Sequence, residues 1–194
     1  DALCHLVRVF PSENVSHVSG SINPLRDISI INLELILSDL SLVSKNLMAL
    51  EKKVKSSHCK EEEKIKDVLA LAAKNLEEGK MIKDLIVDEE DKERLNQFNL
   101  LTNKPILYIF NVSEEQLNSK DWPKIPEPNL AICCQLEAEL SDLSEKEAQD
   151  YIRELNISEN GLDKLIKSAY QLLDIITFFT IQNNILQSWT VPRG

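Results

Sequence analysis

Residues 3–10 are apolar almost without a break, the pattern of a strand buried in a parallel sheet. A loop over residues 11–27 follows, closed by Asn23-Pro24, and from Asp27 a helical period takes over through Ile31, Glu34 and Leu35. From Leu40 the period tightens. Leu40, Val43, Leu47, Leu50 and Val54 recur at alternating steps of 3 and 4, a heptad seam. The seam fades at Ser56-Ser57-His58-Cys59 and resumes through Ile65, Leu69, Ala72 and Leu76. Two such arms around a short polar break predict an antiparallel helical hairpin, each arm too short to stand alone.

The pattern then predicts a helix over residues 89–100, a strand over 106–110, and a turn at 111–116. A Pro-rich loop, DWPKIPEPN, leads to a strand over 130–136 and a helix from about Glu137. Ser144 and Glu147 form a capping-box pattern that opens a second helix, and residues 162–173 form a third. The chain ends on a hairpin, 178–181 and 185–191, turned at Asn183-Asn184. Three buried-type strands with helical crossovers predict an α/β parallel sheet, with the helical hairpin inserted between two of its strands.

Composition narrows the class. The chain has 194 residues, 43% of them apolar, enough for one sizeable core or one core with an appendage. A net charge of −10 argues against a general DNA-binding surface. The four cysteines, Cys4, Cys59, Cys133 and Cys134, lack metal-ligand spacing and read as reduced core thiols. His5, His17 and His58 form no ligand set and read as structural or surface residues. No signal peptide is expected from the opening residues, and the polar residues Gln182, Asn183, Asn184, Gln187 and Ser188 argue against a membrane span in the long uncharged stretch 175–192. The chain lacks an initiator Met, and both ends abut a strand, as expected of a fragment of something longer.

The turn after the strand at 106–110 carries the clearest candidate chemistry. Ligands of open parallel sheets sit at the carboxyl ends of strands. Asn111, Val112 and Glu114 lie just past one such end, and Cys133, Cys134 and Gln135 approach another. An amide can read a purine's Hoogsteen edge, and a carboxylate can accept from its ring N–H and exocyclic amine. Asn111 and Glu114 supply both from one turn. Ser113 and Gln116 equally fit a capping box, so the same turn also reads as a plain helix start. A second feature is the bias of the helical hairpin, where Lys45, Lys52, Lys53, Lys55, Lys60, Lys64 and Lys66 outnumber Glu51, Glu61, Glu62 and Glu63. This is either a solvated exterior or an arm that touches RNA or an acidic partner. No G-x-x-x-x-G-K-[ST] occurs, so the phosphate cradle and its magnesium-binding hydroxyl are absent from this chain.

Several ordered stretches resemble one family. They are DALCHLVRVF, HVSGSINPLRDISIINLELILSDL, LLTNKPILYIFNVSE, CQLEAELSDL, GLDKLIKSAYQLLDIITFFT and SWTVPRG, and they resemble the YchF subfamily of Obg-like GTPases, translation-associated P-loop NTPases. The resemblance implies a partial P-loop NTPase sheet with an inserted antiparallel coiled-coil arm and the first strands of a ubiquitin-like TGS domain. It divides the chain into a first G-domain segment at 1–39, the arm at 40–87, a second G-domain segment at 88–163, and a linker helix with the start of TGS at 164–194. It implies that the chain starts downstream of the phosphate loop and both switch regions.

The family's Asn-x-x-Glu purine motif matches Asn111, Val112, Ser113 and Glu114, whose acid implies ATP preference or dual use of ATP and GTP. Cys134 falls where the family places its second base-contacting loop; with Cys-Gln in place of the usual small pair, a backbone N–H is the contact implied. The whole protein is then expected to be a cytoplasmic, ribosome-associated ATPase or GTPase using magnesium, a monomer without membrane attachment, with RNA reached through the basic arm. This chain would carry the base-recognition half, without catalytic or metal-binding residues. The alternative is a non-catalytic interaction module whose arm docks a ribosomal or protein partner.

Overall fold

The computed structural model describes residues 1–11, 15, 17–57, 59–119, 122–124, 126–155, 157 and 159–193, with backbone only at 55–57. His58 at the expected polar break, the side chains of Lys55, Ser56 and Ser57, and parts of the Pro-rich loop lie outside the described residues. In chain order the elements are β1 (Leu3–Arg8), α1 (Pro24–Ser57), α2 (Lys60–Glu77), α3 (Glu89–Asn96), β2 (Ile106–Asn111), α4 (Glu114–Ser119), β3 (Asn129–Ile132), α5 (Cys134–Ser141), α6 (Glu145–Glu154), α7 (Gly161–Leu172), β4 (Ile175–Gln182) and β5 (Ile185–Pro192). Tight helical turns stand at Ile82–Asp84 and Leu101–Asn103. The chain divides into two compact bodies, 1–25 with 106–194, and 26–105. Among the described residues no helix is long and apolar enough to cross a membrane.

The first body is the expected α/β unit. β1, β2 and β3 are parallel in the order β1-β2-β3. β2 is central, and Ile106 to Phe110 are all buried. Leu107, Ile109 and Ile132 form a core cluster against which Leu130, Leu165 and Leu172 pack. β1 departs from the expected fully buried strand. It is an edge strand, and Cys4 and Leu6 are exposed, Leu6 at 57%. All four cysteines are free thiols, but only Cys133 is buried, so the expectation of core thiols holds for that one residue.

The strand expected over 130–136 is also corrected. β3 stops at Ile132, because its partner β2 ends at Asn111, opposite Ile132, and offers no further ladder. Cys134 instead opens α5, and the Glu137 N–H closes the first turn on the Cys133 carbonyl at 3.1 Å. The β4–β5 hairpin turns on Asn183 and Asn184, at φ 52° and 62°. Those left-handed angles suit a two-residue turn and favour Asn.

The second body is helical. Pro24 sits in the first turn of α1, where its missing N–H costs nothing. α1 runs 34 residues without a break through Leu40. At the expected seam positions, Val43 of α1 is buried and Leu40, Leu47, Leu50 and Val54 are half-buried, while Leu69, Ala72 and Leu76 of α2 are buried and Ile65 is half-buried. Lys53 and Glu62 pair across the α1–α2 break at 2.5 Å.

Two polar clusters fix this body. Asp39, 2% exposed, accepts from Leu101 N–H at 3.0 Å, Thr102 N–H at 2.7 Å and the Thr102 hydroxyl at 2.7 Å. The Thr102 oxygen in turn accepts from Ile82 N–H at 3.3 Å, so α1 holds both tight turns through one carboxylate. Arg94 of α3 donates to Glu61 of α2 at 2.8 Å, and to Asp91 and Glu90 at 2.8 and 3.1 Å. The Glu61 hydrogen bond, before the others, holds the guanidinium above its ordinary range, and Arg94 holds the Glu61 carboxyl below its own.

Candidate functional site

The carboxyl end of β2 is where the candidate chemistry gathers. Asn111 is the last residue of the central strand, pinned on both sides. Its carbonyl accepts from Val9 N–H at 3.1 Å on the β1 side, and the next N–H, that of Val112, donates to Ile132 at 3.0 Å on the β3 side. The Val112 side chain is 1% exposed and belongs to the core, so of the expected quartet it offers a ligand no side-chain surface.

The Asn111 side chain is pinned as well. Its Oδ1 accepts from Cys134 N–H at 3.1 Å. Asn111 and Cys134, singled out from separate strands in the sequence, are thus brought together. The Cys134 N–H serves to orient the amide, which makes the oxygen the acceptor and leaves the Asn111 NH2 without a partner among the described residues. Burial pushes the Cys134 thiol up, with the neighbouring charges of Cys133 and Glu137 adding to it, so the thiol stays neutral at pH 7.

Glu114 is the first residue of α4 and exposed. It makes no hydrogen bond or ion pair among the described residues. Its charge still reaches α6: the Tyr151 hydroxyl is pushed up first by Glu139, then by burial and by Glu114. The turn itself is a capping box. Ser113 N–H donates to Gln116 Oε1 at 3.1 Å, and Gln116 N–H donates to Ser113 Oγ at 3.2 Å. Ser113 and Gln116 thus bear out the capping-box reading, and the Asn111 NH2 and the Glu114 carboxylate stay without a hydrogen-bond partner among the described residues. An amide donor and a carboxylate three positions apart at a strand's carboxyl end, both without a partner among the described residues, are the group types that a planar base with donors and acceptors on one edge would need.

One structural tie behind the site was not visible in the sequence. Glu137, one turn into α5, accepts from Gly161 N–H at 2.6 Å and Leu162 N–H at 3.2 Å, a carboxylate on the N-terminus of α7. Gly161 is required there, because a Cβ would lie 2.6 Å from Ile132 Cγ2. No local spacing announces a partner 24 residues away.

Among the described residues no group of three or more His, Cys, Asp or Glu is placed to hold a metal ion. The lysines of the helical body are partly spent. Lys53, Lys64 and Lys66 pair with Glu62, Glu90 and Asp67, while Lys45, Lys52 and Lys60 make no ion pair among the described residues.

No family model matches the chain. Among curated proteins it is similar to the "Ribosome-binding ATPase YchF" of Bacillus subtilis, 36% identical over 207 residues that cover 100% of this chain and 56% of the relative. The protein of the same name from Buchnera aphidicola of Acyrthosiphon pisum is 34% identical over 100% of this chain and 55% of its own length, and that of Escherichia coli O157:H7 is 32% identical over the same shares. Among solved structures it is similar to the Schizosaccharomyces pombe YchF GTPase, with a TM-score of 0.84, 27% identity, and 100% and 56% of the two chains covered. The chain thus spans just over half the length of the relatives it matches.

Proposed function

The chain belongs to the YchF subfamily of Obg-like GTPases, and from that premise we propose that it is the purine-recognition half of a ribosome-binding nucleotide hydrolase. The observation that carries this reading is the state of the two groups at the end of β2. The Asn111 oxygen is occupied by Cys134, so its NH2 is presented, and Glu114 holds an unspent carboxylate three residues on. The NH2 would donate to purine N7. The carboxylate would accept from the exocyclic amine of adenine. Guanine presents two adjacent donors, which a shorter Asp would chelate. Glu is one methylene longer, and this favours ATP over GTP. Cys134 acts through Asn111.

The remaining parts of the proposal follow the family. Magnesium would enter with the triphosphate on residues outside this chain, and the chain alone would not turn over nucleotide. α1 beyond Leu40 with α2 would form the coiled-coil arm, whose unpaired Lys45, Lys52 and Lys60 suit ribosomal RNA. The β4–β5 hairpin would begin a TGS domain. It exposes Phe179 at 64%, Ile181 at 77% and Leu186 at 64%, apolar surface that a folded domain normally covers. The whole protein would act in the cytoplasm as a monomer.

Titrating AMP into the 15N-labelled chain tests the base site. We expect the Asn111 side-chain NH2 and the Cys134 N–H to shift together, and both shifts to vanish in Asn111→Ala. A folded chain whose Asn111 and Cys134 signals ignore AMP at tens of millimolar contradicts the reading.

A further inference from the structure

Gln116 makes a bond that its capping role does not require. Oε1 and the backbone N–H close the box with Ser113. A Glu would close that box equally well, since only an acceptor is needed. The remaining group, Nε2, donates to the Val9 carbonyl at 3.3 Å, across 107 residues of sequence. Only an amide can do both tasks, because a carboxylate has no hydrogen to give and would face a carbonyl oxygen.

Val9 is 7% exposed and lies just past the end of β1. Its N–H holds the Asn111 carbonyl, and its C=O holds Gln116. One buried residue therefore grips the turn on both sides of the pair formed by Asn111 and Glu114. α4 is only six residues long and buries none of them. Buried Val112 anchors the chain between Asn111 and Glu114, and the Gln116–Val9 bond ties it again on the far side of Glu114.

We propose that Gln116 is a positioning residue for base recognition, tying α4 to the end of β1 so that the Asn111 amide and the Glu114 carboxylate keep the separation a purine edge demands. The inference rests on those two residues reading the base. Hydrogen bonds weaken steeply as geometry departs from linear, so a small swing of α4 changes base discrimination before it changes stability.

The test uses the 194-residue chain, with AMP and GMP as probes. Their phosphate is common, so the ratio of their dissociation constants reports the base. Gln116→Glu keeps the capping acceptor and removes the donor; Gln116→Ala removes both. Gln116→Glu should keep the wild-type thermal midpoint within a few degrees, weaken AMP about 3- to 10-fold, the worth of one hydrogen bond, and change the AMP/GMP ratio. In the unmutated chain the Gln116 side-chain NH2 should exchange slowly and shift with AMP, a readout that survives if a variant fails to fold. An unchanged ratio in Gln116→Glu, or a Gln116 NH2 that exchanges as if in free solvent, overturns the proposal. Asn111→Ala separates the two levels. If it abolishes AMP binding while Gln116→Glu does nothing, the base site stands and the positioning role falls. If Asn111→Ala leaves AMP binding intact, the base site itself falls.

Discussion

Two carboxylates, Asp39 and Glu114, stand at the starts of short helical segments and do opposite things. Asp39 reaches from α1 to the turn Leu101–Asn103, is 2% exposed, and has both oxygens filled by Leu101 and Thr102. Glu114 opens α4, is exposed, and holds no partner among the described residues. The first is spent on structure. A buried anion is tolerated only when its hydrogen bonds are complete, and here they are. The second remains available for a ligand, because the task of capping α4 has passed to Ser113 and Gln116. On the proposed reading, the carboxylate left for a ligand is the one whose local structural duty another residue has taken over.

The contrast can be broken by mutation. Asp39→Ala orphans the Leu101 and Thr102 N–H groups and should cost about 3–5 kcal/mol in urea unfolding. Glu114→Ala should stay within about 0.5 kcal/mol of wild type. Equal losses would erase the distinction. Leu69, with no exposed surface, should lose about 2–4 kcal/mol on change to Ala, and half-buried Leu47 less. Gly161→Ala forces a Cβ against Ile132 and Glu137 and should cost about 1–3 kcal/mol. Its loss should exceed that of an Ala placed at Gly20 only if the close approach, and not backbone freedom, is the reason for glycine at 161.

The smallest effect expected is one of pH. The Glu61 carboxyl is held low, first by its hydrogen bond to Arg94. A depressed carboxyl adds stability above its unfolded value, near 4.3, and loses that stability as pH falls through its folded value. Arg94→Lys should shrink this acid-side loss of the α2–α3 packing, followed by amide exchange. An identical acid profile in the variant would remove Glu61 from the account.

What the sequence made legible was local. The apolar run 106–110 announced β2, Ser144 with Glu147 announced the cap of α6, and Asn183-Asn184 announced the hairpin turn. Asn111 and Glu114 stood out as a candidate pair because an acid follows an amide three positions on, in one turn. What stayed hidden was decided at a distance. Nothing near Asp39 points to Thr102, 63 residues on, and nothing near Gln116 points to Val9. The apolar residues of 130–136 looked like one strand because periodicity does not show where a partner strand stops; the end of β2 decides that. The two exposed cysteines were misread for a related reason, since apolar character does not reveal whether a neighbour is present.

The central claim is that Asn111 and Glu114 select the purine. It is tested most directly by the ratio of ATP to GTP affinity in the protein extended to the full length of its relatives, measured for wild type and Glu114→Asp. Shortening the acid by one methylene should let the carboxylate chelate both guanine donors. The account predicts that GTP gains on ATP by about tenfold, the worth of about 1.4 kcal/mol. An unchanged ratio, with both nucleotides still bound, would contradict it and leave Glu114 as no more than the first residue of a helix.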